Sequence, residues 1–288
     1  MVFPGQHAAL SDIAASETLG AVRGPALKPL ARPNWPALGA GVLFVCGWEA
    51  GVRLFAVPNY LLPPPSRVVA TLVSNIGLIA PDALVTGAEM VGGLLAGAAG
   101  GIAVALVMAR SRWLERALGP LLVVAQALPV FAIAPLLVVW FGFGILSKLV
   151  MAALIIFFPV ATSLFEGLRR TDEGLVDLAR LNRASARDTL LVIRLPSALP
   201  ALAAGLRVAA AVAPLGAVVG EWVGSSSGLG LLMLHANARM QTDMMFAGLA
   251  VLVMFSIGLW AGVGALTRRL VFWAPDTLGS PSNEGSRR

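Results

Sequence analysis

The chain has 288 residues, of which 58% are hydrophobic and only 12% charged, and its formal net charge is +6. Soluble domains carry about 25% charged residues, so this composition excludes a disordered or ordinary soluble chain and reads as a polytopic membrane protein. One cysteine, Cys46, leaves no disulfide framework and no cysteine metal site, and no basic patch interleaved with aromatics is present to bind nucleic acid.

Residues 1–34 are of mixed polarity and lack the apolar core of a cleaved signal peptide. They are expected to form a flexible cytoplasmic tail carrying Arg23, Lys28 and Arg32. A transmembrane domain is expected over 35–273. Its first span, about 37–57, holds Glu49 and Arg53 four residues apart on one helical face, a spacing that favours pairing. Three consecutive prolines then forbid a helix, and 68–79 reads as a short surface helix. The second span, about 83–109, carries Gly93, Gly97 and Gly101 as a close-packing stripe, with Glu89 near its outer end.

Arg110, Arg112 and Arg116 form a basic loop. The third span, about 117–141, is interrupted by Pro129 and Pro135. Residues 141–148 read as a short outer turn, and the fourth span, 149–165, contains Pro159. The fifth span, 198–222, contains Arg207, Pro214 and Glu221. The polar stretch 224–243 is expected to hold a re-entrant or surface helix starting near Gly230, and the sixth span, 244–266, carries Gly258 and Gly262 for packing. Residues 274–288 are expected to be a disordered tail.

Between the fourth and fifth spans lies a charged island, 166–200, with six arginines and five acids. Thr171 is a candidate helix cap, and Asp172 and Glu173 suit a first helical turn. Leu175, Leu178, Ala179 and Asn182 then share one helical face. Ser185 followed by Asp188 resembles a capping box for a second short helix. On physics alone two readings stand: a helix that docks into a soluble partner's groove, and a helix lying on the lipid interface.

Six spans put both termini on one side, and that side holds 16 Lys and Arg against 3 on the other. The positive-inside rule therefore places the termini and the island in the cytoplasm. The chain has no phosphate-binding G-x-x-x-x-G-K-[ST] loop and no nucleophile constellation. Its two histidines, His7 and His235, lie far apart in sequence, so neither enzyme chemistry nor a metal site is expected.

The island resembles the coupling loop of permeases from bacterial binding-protein-dependent ABC importers. That family's signature is Glu-Ala-Ala, three residues, Gly, nine residues, then Ile-x-Leu-Pro. Here Asp177-Leu178-Ala179 stands for the triplet, Arg183 for the glycine, and Ile193-Arg194-Leu195-Pro196 for the close. Residues 125–148 and 198–230 look like the third and fifth spans of the nitrate, sulfonate and taurine branch. The resemblance implies an all-α membrane domain of about six transmembrane helices with a cytoplasmic coupling helix in the loop 166–196, in the bacterial inner membrane.

It further implies three kinds of protein partner besides membrane lipid: a cytoplasmic ATP-binding subunit, an extracytoplasmic solute-binding protein and a second permease subunit, expected as a homodimer. ATP and Mg belong to the ATPase, with no cofactor in this chain. Contact with the ATPase falls to Asp177, Leu178, Ala179, Leu181, Arg183, Ala184, Ser185, Ile193, Leu195 and Pro196. An arginine at the glycine position must either take an ordinary backbone conformation or carry left-handed strain.

For the solute path the candidates are Gln126, Arg207 and Glu221. Arg207 also has structural readings: neutralising Glu221 or Glu89, or holding carbonyls freed at a proline. The first solute expectation is hydroxymethylpyrimidine or a related pyrimidine, and the second is a small anion such as sulfonate, taurine or nitrate. A stand-alone secondary transporter or channel is the alternative of another class. It lacks support in a strong intramembrane ion site or an obvious inverted repeat.

Overall fold

The computed structural model describes residues 35–273, so both expected tails, 1–34 and 274–288, lie outside the described residues. Within 35–273 the regular structure is helical throughout. In chain order it comprises α1 (Trp35–Leu54), α2 (Pro65–Ser74), α3 (Ile76–Arg110), α4 (Arg112–Ala127), α5 (Val130–Phe141), α6 (Ile145–Arg169) and α7 (Glu173–Leu181). A single turn, α8 (Ala186–Asp188), runs through π-helical Thr189–Arg194 into α9 (Leu195–Gly224), followed by α10 (Leu229–Ala238) and α11 (Thr242–Leu270). The chain divides into two units at Gly47–Trp48, inside α1. In the first unit, described from residue 35, the apolar side chains of Val42, Leu43 and Phe44 are exposed.

In the second unit, α6 is the central helix, packed against α3 on one side and α9 on the other. Small residues make this possible. A Cβ at Gly97 would sit 2.6 Å from the Ala153 carbonyl oxygen, so only glycine lets α3 come this close to α6. Gly93 of α3 and Gly216 of α9 both approach the same residue, Ala152. Along the seam Ile156, Val160, Ala209, Ala210 and Ala213 are fully buried. By contrast, a Cβ at Gly258 or Gly262 of α11 would meet nothing within 4 Å, so these glycines do not pack against another helix among the described residues.

Among the described residues four helices are long and apolar enough to cross a membrane: α3, α6, the run from α8 through α9, and α11. A fifth span arises if α4 and α5 count as one, although they meet at a 99° bend. Four or five spans among the described residues thus stand against the six expected. The bend has a local cause. Leu128 precedes Pro129 and is forced into an extended conformation (φ −73°, ψ 125°), which ends α4. Pro159 does not end α6, which runs unbroken from Ile145 to Arg169. The outer turn expected over 141–148 is shorter than anticipated, because Ile145–Lys148 already belong to α6.

Glu49 and Arg53 pair as their spacing requires, with Arg53 Nε donating to Glu49 at 2.7 Å. Glu49 also accepts from the backbone and hydroxyl of Ser66, which ties α1 to the start of α2.

Candidate functional site

The island folds into a closed loop between α6 and α9. Asp172, rather than Thr171, caps α7. Its carboxylate accepts from the amides of Gly174 at 2.7 Å and Leu175 at 3.3 Å. Thr171 instead donates its hydroxyl back to the Leu168 carbonyl. Either side chain can accept at a helix start, but the two-amide grip of a carboxylate also meets the positive end of the helix dipole. Ser185 caps α8 as its spacing predicted, accepting from the Asp188 amide at 3.1 Å.

Arg183 takes the left-handed conformation, φ 54°. Its amide donates to Arg180 and the next amide, of Ala184, donates to Ala179. These two bonds define a Schellman close of α7, with Arg183 at the position that glycine normally fills. The other non-glycine residues with positive φ, Ala56 and Met240, close their helices by the same pair of bonds. The departure from the family glycine therefore leaves the turn intact and stores backbone strain in it.

The loop presents a recess of 250 Å³ between α7 and the π-helical segment, lined by Leu178, Ala179, Asn182, Ala184, Val192 and Ile193 among others. Ala179 is buried, whereas Leu178 and Leu181 are 55% and 82% exposed. Asp177 pairs with Arg180 at 2.8 Å on the solvent side. Leu195 and Pro196 begin α9, and Arg194 before them donates to the Leu168 carbonyl at the end of α6. Large apolar side chains thus stand open on a charged loop.

A second site lies at the opposite end of α6 and α9. Glu89 and Glu221 are fully buried and Lys148 is 4% exposed. Lys148 forms an ion pair with Glu89 and donates to Ser225 Oγ at 3.0 Å. Thr86 donates to Glu221 Oε1 at 2.6 Å, and the Gly230 amide donates to Oε2. The Leu229 amide reaches Thr86 Oγ1 at 2.8 Å and the Gly228 amide reaches Asp82 at 2.9 Å. The first amides of α10, which have no partner within their own helix, are thus met by acids and a hydroxyl from α3 and α9. At Gly228, φ is 123° and a Cβ would overlap the Glu221 carboxyl, so glycine is required twice over.

This cluster corrects two expectations. Lys148 is buried in a helix rather than exposed in an outer turn, and Lys148, not Arg207, is the cation beside Glu89. Arg207 is half-buried on α9 and donates to Thr267 of α11 at 3.2 Å. Gln126 is exposed at the end of α4, beside the bend. The three expected path residues are not gathered: Arg207 and Glu221 lie fourteen residues apart on one helix, about 21 Å at 1.5 Å per residue. Sequence reasoning missed the cluster although Lys148 and Glu221 lie near helix ends on one side and Glu89 was expected near the outer end of its span. That common depth was the available signal. A further feature is an apolar cleft of 470 Å³ on α9, α10 and α11, lined by Pro214, Val218, Trp222, Met233, Asn237 and Met245 among others.

These features define a multi-pass, all-helical membrane protein built around glycine-packed spans with a capped polar loop between two of them. The profile of the binding-protein-dependent transport system inner membrane component family matches residues 97–272. A probable ABC transporter permease protein from Haemophilus influenzae is 48% identical over 237 residues, covering 82% of this chain and 96% of that one. The riboflavin transport system permease protein of Chloroflexus aurantiacus is 37% identical, covering 86% and 95%. The formylaminopyrimidine transport permease protein of Halalkalibacterium halodurans is 34% identical, covering 78% and 90%.

Among solved structures, an inward-facing methionine ABC transporter, MetNI, shares the fold at TM-score 0.61 and 18% identity, covering 68% of this chain and 97% of that one. The chain belongs to the binding-protein-dependent transport system inner membrane component family. It is an ABC importer permease subunit, a multi-pass inner-membrane transport component and not an enzyme, in the branch that includes permeases named for sulfonate, taurine and nitrate.

Proposed function

We propose that the loop 171–196 is the coupling element that receives a cytoplasmic ATPase subunit, and that the spans form the path for a small planar heterocycle. The observation that carries the coupling reading is the recess itself: open apolar side chains on a loop closed at both ends, by Asp172 at α7 and by Arg194 against α6. A rigid loop of this kind transmits motion of a docked partner to α6 and α9 together. ATP binding to that partner supplies the differential affinity between the two states of the spans.

Two such permeases, as a homodimer with cytoplasmic termini, with ATP and Mg held by the ATPase and an extracytoplasmic solute-binding protein delivering the solute, complete the importer. Hydroxymethylpyrimidine or a related pyrimidine is the first solute. Two relatives are named for formylaminopyrimidine and riboflavin, both of which contain a pyrimidine ring. The apolar cleft beside Trp222 suits a flat ring better than a sulfonate or nitrate.

The test is co-purification of the tagged chain with its ATPase, followed by uptake of labelled hydroxymethylpyrimidine, taurine and nitrate in vesicles. Leu178→Asp places a charge in the recess and is expected to abolish ATPase association while the spans remain folded. Association unaffected by Leu178→Asp refutes the coupling assignment. Uptake of an anion and not of the pyrimidine refutes the solute.

A further inference from the structure

The cluster of Glu89, Lys148 and Glu221 holds two carboxyl groups and one ammonium, all removed from water. The two carboxyls lie side by side. Packing sets that approach. Thr86, one turn before Glu89, donates to Glu221, and the backbone of Lys148 lies against Gly220, the neighbour of Glu221, where a Cβ would be 3.1 Å from Lys148 Cα.

The donors are distributed unevenly. Glu221 receives a hydroxyl and an amide, both neutral. Glu89 receives the Lys148 ion pair but no donor of ordinary hydrogen-bond geometry among the described residues. The other groups facing the cluster are Asp82, which takes the Gly228 amide, and Ser225, which takes Lys148. Ionised carboxylates only accept hydrogen bonds, so two of them side by side repel and leave their contact unbonded. A single proton resolves both defects. It turns one acceptor into a donor, and it brings the charge of the three groups to zero in a site that water cannot screen.

We propose that this cluster is a buried proton site, in which Glu221 is a carboxylic acid donating its proton to the Glu89 carboxylate, itself paired with Lys148. Glu221 is the acid because its remaining partners are neutral, whereas Glu89 has the cation. No co-reactant is needed: the proton comes from water as the chain folds and stays between the two oxygens. The inference is independent of the solute and of the ATPase.

The test is infrared spectroscopy of the full-length chain in lipid nanodiscs, in mildly alkaline buffer where water-exposed carboxyls are ionised. The expected result is a protonated-carboxyl stretching band that shifts when the chain is made with carboxyl-labelled glutamate. Glu221→Gln, whose amide still donates to Glu89 although its nitrogen cannot accept as the carboxyl oxygen did, is expected to remove the band. The labelling result stands even if that variant does not fold. Absence of the band in the folded wild type, a band that ignores glutamate labelling, or a band unchanged in folded Glu221→Gln overturns the proposal.

Discussion

The guanidinium of Arg194 donates to the carbonyl oxygen of Leu168 through Nε at 3.2 Å and Nη2 at 2.8 Å. One side chain thus satisfies a terminal carbonyl of α6 and ties the two ends of the island together. Hydrogen bonds from a charged donor are worth about 1.5–3 kcal/mol, so Arg194→Ala is expected to lower the unfolding midpoint in detergent and to speed proteolysis between Thr171 and Leu190. Arg194→Lys should recover only part of the loss, because an ammonium lacks the planar fork.

Arg183 is the second test of the loop. A left-handed non-glycine residue costs about 1–2 kcal/mol, and glycine gives back part of that gain through its greater freedom in the unfolded chain. Arg183→Gly should therefore stabilise the loop modestly, read as slower proteolysis within the island. Faster proteolysis would mean that the arginine side chain supports the turn in a way its backbone does not reveal.

The glycines divide into two classes with opposite expected outcomes. Gly97→Ala drives a methyl against the Ala153 carbonyl and should destabilise by about 1–3 kcal/mol, the usual cost of overpacking. Gly258→Ala meets open space among the described residues and should be neutral or stabilising by up to about 1 kcal/mol, the helix propensity difference. Thermal unfolding of the two variants in the same detergent provides the comparison.

The same measurement tests the buried pair. Lys148→Met leaves Glu89 without its cation, and breaking a buried pair in this way costs about 3–5 kcal/mol. Lys148→Met combined with Glu89→Met removes both partners and should be less destabilised than Lys148→Met alone.

Much of the fold could be read from residue types alone. Pro129 announced the broken third span, Ser185 and Asp188 announced a cap, and the glycines of α3 announced a close neighbour. What could not be read was direction around each helix. Gly258 and Gly262 repeat at the spacing of Gly93 and Gly97, yet among the described residues only the second pair faces another helix. Glu89, Lys148 and Glu221 disclose their depth in the sequence but not that they point at one another. Arg183 shows the converse. The backbone required by the turn prevailed over the preference of the residue, because two amides and two carbonyls had to be satisfied at the close of α7.

Ala152 is pressed by both Gly93 and Gly216. Neither neighbour has a side chain left to surrender. A larger residue at 152 cannot be rescued by trimming either of these two contacts, because both positions already carry the smallest residue. Genetic suppressors of Ala152→Leu should therefore not arise at positions 93 or 216. They should map instead to substitutions that displace α3 or α9 as whole helices.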